Sequence, residues 1–139
     1  MRVREAVSPA GLVRAWAVAL LGSAGANELL RSALWELLAV PETFLPLTRP
    51  AVLLWTTVGV TGAAVAFALV ARWTQSPAGT YRRLAAVALL VSWVPDALLP
   101  GSPRFPEATW QLAAGLAVLH VPPALLSVLL FPRWGLRTV

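Results

Sequence analysis

Residues 51–70 read AVLLWTTVGVTGAAVAFALV, an uncharged run closed by Pro50 on one side and by Arg72 and Trp73 on the other. An α-helix needs about 20 consecutive apolar residues to cross about 30 Å of hydrocarbon, so this stretch predicts a transmembrane helix over about residues 51–71. Working outward, residues 110–130 (WQLAAGLAVLHVPPALLSVLL) predict a second span, interrupted only by His120 and Pro122-Pro123. Residues 82–99 (RRLAAVALLVSWVPDALL) predict a shorter one carrying Pro95-Asp96. Residues 12–39 predict a long first helix with Asn27, Glu28, Arg31 and Glu36 in its second half. Its start resembles a signal peptide, with Arg2 and Arg4 before an apolar run and Ala24-Gly25-Ala26 after it. The helical pattern continuing through Leu29, Leu30, Leu34, Leu37 and Leu38 favours a retained helix. The expected fold is therefore all-α: a single-domain, polytopic membrane protein built as a four-transmembrane-helix bundle.

Composition demands the same class. A chain of 139 residues that is 58% hydrophobic and 12% charged, with a mean hydropathy of +0.73, exceeds what one small water-soluble core can hide. All eleven basic residues are Arg, and they stand at the ends of apolar runs rather than on one soluble face, which argues against nucleic acid as a partner. With no cysteine, disulfides, thiolate nucleophiles and Cys-ligated metals are excluded.

Four spans with the N-terminus inside give the cytoplasmic side Arg2, Arg4, Arg14, Arg72, Arg82, Arg83, Arg133 and Arg137, and the outer loops only Arg49 and Arg104. Trp16, Trp73 and Trp134 would mark one interface, and Trp35, Trp55 and Trp110 the other. The expected location is the inner (plasma) membrane, multi-pass, with both termini cytoplasmic. The connections at residues 41–50 and 100–108 are short and proline-rich, so function must reside in the membrane or at its edges.

Helices in lipid pack through small and occasional polar residues. Such stripes run Thr57, Thr61, Ala64, Ala68 on the second helix, Ala85, Ala88, Ser92, Asp96 on the third and Ala113, Ala117, His120, Ala124, Ser127 on the fourth; on the first, Ala24, Asn27, Glu28 and Arg31 share an arc. Ionisable groups inside a membrane are costly and often functional. Glu28 and Arg31, three apart, could mark a site or simply neutralise each other. Asp96 and His120 could meet as a proton relay or ligand site, or only lock the third helix to the fourth. Pro95, Pro122 and Pro123 free backbone carbonyls that could coordinate a cation, or merely kink their helices. One histidine excludes HExxH zinc sites and bis-histidine haem, and no phosphate-loop or nucleophile-elbow motif is present. A serine–histidine–aspartate set through Ser92 or Ser127 lacks an oxyanion-hole signature, and His120 as a single tetrapyrrole ligand is a weak signal. No catalytic or metal-ligating residue and no cofactor is assigned.

Residues 58–72 (VGVTGAAVAFALVAR), 83–99 with the core SWVPDALL, and 108–130 (ATWQLAAGLAVLHVPPALLSVLL) together resemble a family of small four-helix bacterial integral membrane proteins classed as a domain of unknown function, and Asn27 fits the same pattern. Pro95-Asp96 and His120 carry most of that resemblance. It implies the four-helix fold and no activity.

The first expectation for function is a non-enzymatic accessory or small-ligand-binding bundle, with the lipid bilayer as its medium and other membrane subunits or a second copy as candidate partners. The alternatives are a carrier or proton relay using Asp96, His120 and Glu28, and a lipid- or quinone-modifying enzyme. A packed bundle would favour the first, a water-filled cavity reaching Asp96 the second, and an apolar cleft open to lipid and ending at His120 the third.

Overall fold

A computed structural model describes residues 5–138; Arg2 and Arg4, counted above on the cytoplasmic side, lie outside them. The elements are β1 (Glu5–Val7), α1 (Pro9–Leu38), a short 3-10 turn (Leu45–Leu47), α2 (Arg49–Trp73), α3 (Pro77–Ala97), α4 (Trp110–Leu119), α5 (Val121–Gly135) and β2 (Leu136–Thr138). Among the described residues, α1, α2 and the α4–α5 run are long and apolar enough to cross a membrane. Helix α3 is not in that group, because Arg82 and Arg83 near its start and Asp96 at its end shorten its uncharged run.

One feature escaped the hydropathy reading. β1 and β2 pair antiparallel with Glu5 opposite Thr138, Ala6 opposite Arg137 and Val7 opposite Leu136. This ribbon ties the two ends of the chain together at one end of the bundle. Next to it Ser8 opens α1, its hydroxyl accepting from the Gly11 N–H at 3.3 Å, with Pro9 in the first turn where a missing donor costs nothing. Gly11 lies so close to α5 that a β-carbon there would overlap the Trp134 carbonyl oxygen. At its other end α1 stops at Ala39, a left-handed cap with φ 45° that glycine would adopt without strain.

The core falls into two clusters. Ala15, Ala19, Val60, Phe67, Tyr81 and Phe131 pack at the end bearing the termini, where the Phe67 and Tyr81 rings meet edge-to-face at 5.1 Å and Phe131 lies 6.1 Å from each. Val40, Phe44, Leu47, Val52, Leu112, Leu116 and Leu119 pack at the opposite end, under the loops. Outside, the pattern is inverted relative to a water-soluble protein. Val13, Leu21, Leu29 and Leu37, from 61% to 79% exposed, stand out along the length of α1, and Leu84, Val87, Leu90, Val91 and Val94 form an exposed apolar face on α3. Exposed apolar surface of this extent marks a surface that meets a membrane or a partner.

The buried face of α2 differs from the expected stripe. Val52, Thr56, Val60, Phe67 and Ala71 are buried, while Thr57 and Thr61 are exposed. The rule that small residues face inward fails here for two reasons. The Phe67 ring finds aromatic partners inside, and Thr57 satisfies its hydroxyl on its own helix, donating to the Leu53 carbonyl at 2.8 Å, so it can face outward at little cost.

The run expected as one span over residues 110–130 is broken at His120 and continues to Gly135. Pro122 and Pro123 have no N–H, so the carbonyls of Val118 and Leu119 lose their usual donors. The His120 N–H shifts to the Ala117 carbonyl at 3.2 Å. That shift releases the Leu116 carbonyl one turn earlier.

Candidate functional site

Between the two clusters the helices part to form a cleft of about 680 Å³. Its rim is exposed: Trp55 and Gly59 on α2 face Leu84 and Ala88 on α3. Its floor is buried and is formed by Asn27 of α1 together with Leu116, Leu119 and Ser127 of α4 and α5. The aromatic cluster around Tyr81 closes it toward the termini, and Leu45, Pro46, Leu99 and Phe105 close it at the loop end. Most of the lining is aliphatic. The cleft therefore opens sideways, between α2 and α3, rather than along the bundle axis.

Of the five candidate residues, the fold brings three to this cleft. Asn27 is 2% exposed and donates from Nδ2 to Thr56 Oγ1 at 2.9 Å, while its Oδ1 has no donor among the described residues. Asp96 is buried near the end of α3, with Oδ2 at 3.4 Å from His120 Nδ1. The contact expected between these two thus exists as an approach, but the imidazole hydrogen bond goes elsewhere. Nδ1 is 3.0 Å from the Leu116 carbonyl oxygen, the one released by the helix break. A carbonyl only accepts, so Nδ1 carries a hydrogen and points it at Leu116; in the neutral ring Nε2 remains as an acceptor. The locking of α3 to α4 is carried by Trp93, whose indole N–H donates to the Ala117 carbonyl at 2.9 Å.

Glu28 and Arg31 do not line the cleft. They form an ion cluster at the edge between α1 and α2 with a third member, Arg49. Glu28 Oε1 accepts from Arg31 Nη2 at 2.8 Å and from Arg49 Nε and Nη2 at 2.9 and 2.6 Å, and Oε2 accepts from Arg31 Nε at 3.0 Å. The Arg31 guanidinium also stacks over Trp35, 5.8 Å from the ring centroid. One carboxylate thus neutralises one of two guanidiniums.

Sequence reasoning missed Thr56, Tyr81, Trp93 and Arg49. Thr56 was within reach: with Val52, Val60, Ala63 and Phe67 it forms a three-and-four spacing as regular as the one through Thr57. The Tyr81 hydroxyl is buried and turned toward Ser127 Oγ without reaching hydrogen-bond geometry. Among the described residues no group of three or more metal-ligating side chains comes together. No protein-family model, curated protein or solved structure matches the chain.

Proposed function

We propose that this chain is a four-span integral membrane protein that binds a small lipid-like amphiphile in the cleft between α2 and α3. The observation that carries this reading is the cleft itself: about 680 Å³, largely aliphatic, opening sideways where exposed apolar faces would meet lipid, and reaching sparse polar groups on its floor. That volume is typical of small-molecule sites, and the combination of apolar walls with a few polar groups is how such sites fix a ligand's orientation. In this reading α3 is the fourth span, with Arg82 and Arg83 at the interface and Asp96 turned inward.

The paired ends support a topology with both termini on one side. Arg14, Arg72, Arg82, Arg83, Arg133 and Arg137 lie toward the terminal ribbon, whereas the opposite half carries Arg31, Arg49 and Arg104, the first two held by Glu28. The positive-inside rule then makes the end with the termini cytoplasmic. The resemblance to small four-helix bacterial membrane proteins agrees with a place in the inner membrane. An apolar cleft that reaches His120 is the feature expected of the lipid- or quinone-modifying reading, and the binding of a lipid-like molecule is the part of that reading it supports. The 3.4 Å approach of Asp96 to His120 favours a proton relay as the second reading, but the hydrogen on Nδ1 is directed at Leu116 rather than at the carboxylate.

Gly59 supplies the test. It lies on the cleft rim, and a β-carbon there would meet nothing within 4 Å, so Gly59→Phe fills the cleft without disturbing the packing. Native mass spectrometry of protein purified in mild detergent should show a bound amphiphile on the wild type and reduced occupancy on Gly59→Phe, at unchanged thermal stability. Equal occupancy on both proteins would exclude the cleft as the site.

A further inference from the structure

The polar atoms of the cleft are unevenly matched. Asn27 Oδ1 and Asp96 Oδ2 are buried, and among the described residues neither receives a hydrogen bond. The nearest donor to Asp96 is His120 Nδ1 at 3.4 Å, whose hydrogen is directed at the Leu116 carbonyl. That bond places the hydrogen on Nδ1, so in a neutral ring Nε2, on a side chain 38% exposed, is a third acceptor beside them.

Most donors of the same walls are already committed. Ser92 donates to the Leu89 carbonyl at 2.7 Å and Ser127 to the Ala124 carbonyl at 2.9 Å. The Asn27 amide donates to Thr56, whereas the Tyr81 hydroxyl, at the end of the cleft toward the termini, has no partner among the described residues. The cleft therefore holds more unmatched acceptors, drawn from α1, α3 and the α4–α5 junction, than the Tyr81 hydroxyl can supply. Buried acceptors are normally satisfied, and those that are not need an explanation. Inside an apolar cleft the missing donors have to come from whatever fills it.

We infer that the cleft selects amphiphiles whose head group donates hydrogen bonds, a hydroxyl or an ammonium, over those whose head group only accepts, such as an ether, ketone, ester or quinone. The inference rests on the reading of the cleft as a ligand site and adds its head-group preference. A donor head would settle beside Asn27, Asp96 and His120, with its chain lying along the aliphatic walls toward the rim at Gly59 and Ala88. An acceptor-only head placed there would face lone pairs on every side and leave the surplus unrelieved.

Three probes with the same chain test this: tritiated hexadecanol, hexadecylamine and hexadecyl methyl ether, titrated onto purified protein in mild detergent. Hexadecanol, hexadecylamine or both should bind about tenfold more tightly than the ether. If only the alcohol does, the head is a hydroxyl; if only the amine does, it is an ammonium. Asn27→Leu should shrink the preference to within about twofold while leaving ether binding unchanged. Asp96→Leu should act most strongly on the amine, and if that variant does not fold, Asn27→Leu carries the test alone. Ether binding as tight as alcohol and amine binding, with all three lost in Gly59→Phe, would overturn the head-group preference and leave the cleft reading intact. Binding of all three that Gly59→Phe does not alter would overturn both.

Discussion

Replacing Glu28 by Gln removes the one carboxylate that holds two guanidiniums at the edge of the bundle. The loss is unequal for the two. The Arg31 side chain is 13% exposed, Glu28 28%, and Arg49 65%. Arg49 can turn to solvent or headgroups, so its share is that of a surface pair, under about 1 kcal/mol. Arg31 cannot leave so easily and would be stranded. Stripping a buried ion of its partner costs about 3–5 kcal/mol, which partial exposure and the Trp35 ring reduce to about 2–3 kcal/mol.

For a chain of this size 1 kcal/mol moves the unfolding midpoint by about 2–4 °C, so Glu28→Gln should lower it by roughly 5–10 °C in detergent, followed by tryptophan fluorescence. Arg49→Ala should cost much less. Glu28→Gln combined with Arg31→Met should be milder than the sum of the single changes by about 1–2 kcal/mol, because the vacant pair no longer strands a charge. Additive single effects, or an Arg49→Ala loss as large as that of Arg31→Met, would refute the assignment of Arg31 as the buried partner.

Two further outcomes follow from packing and topology. Gly11→Ala should destabilise the protein by about 2–3 kcal/mol, because the new methyl group overlaps the Trp134 carbonyl and must push α1 off α5; an unchanged melting midpoint would show that the helices do not approach there. Single cysteines at the exposed positions Thr43 and Arg104 should react with an impermeant thiol reagent added to intact cells, while one at Ser76 should not. Labelling at Ser76 from outside would reverse the orientation.

The helices were legible because hydropathy over some twenty residues averages out local detail. Residues 51–70 read as a helix whatever their neighbours do, and α2 forms around them from Arg49 to Trp73. Which face turns inward was less legible. Thr56 and Thr57 are both small, both polar and both on regular spacings; a rotation of one residue decides between them. That choice is made by partners on other helices: Asn27 Nδ2 waiting for an acceptor, and Phe67 closing on Tyr81 and Phe131. The terminal ribbon was illegible for a related reason. Three-residue strands carry no periodicity, and β1 and β2 exist because α1 and α5 deliver their ends to the same place.

The candidate site divides along the same line. The cost of ionisable groups in an apolar segment singled out Asp96 and His120 correctly as neighbours, since two helices of similar span bring residues of similar depth to one layer. What the cost argument could not see is the backbone as a competitor. The Pro122-Pro123 pair frees the carbonyls of Val118 and Leu119, but the break propagates back toward Leu116. His120 N–H moves to Ala117, Leu116 is left without its donor, and the imidazole turns to supply it. A carbonyl released by proline thus takes the hydrogen that a side-chain pairing argument would have assigned to Asp96. The carboxylate is left on the wall of the cleft with Oδ2 unpartnered among the described residues, and the proposed preference for donor head groups rests on it together with Asn27 Oδ1.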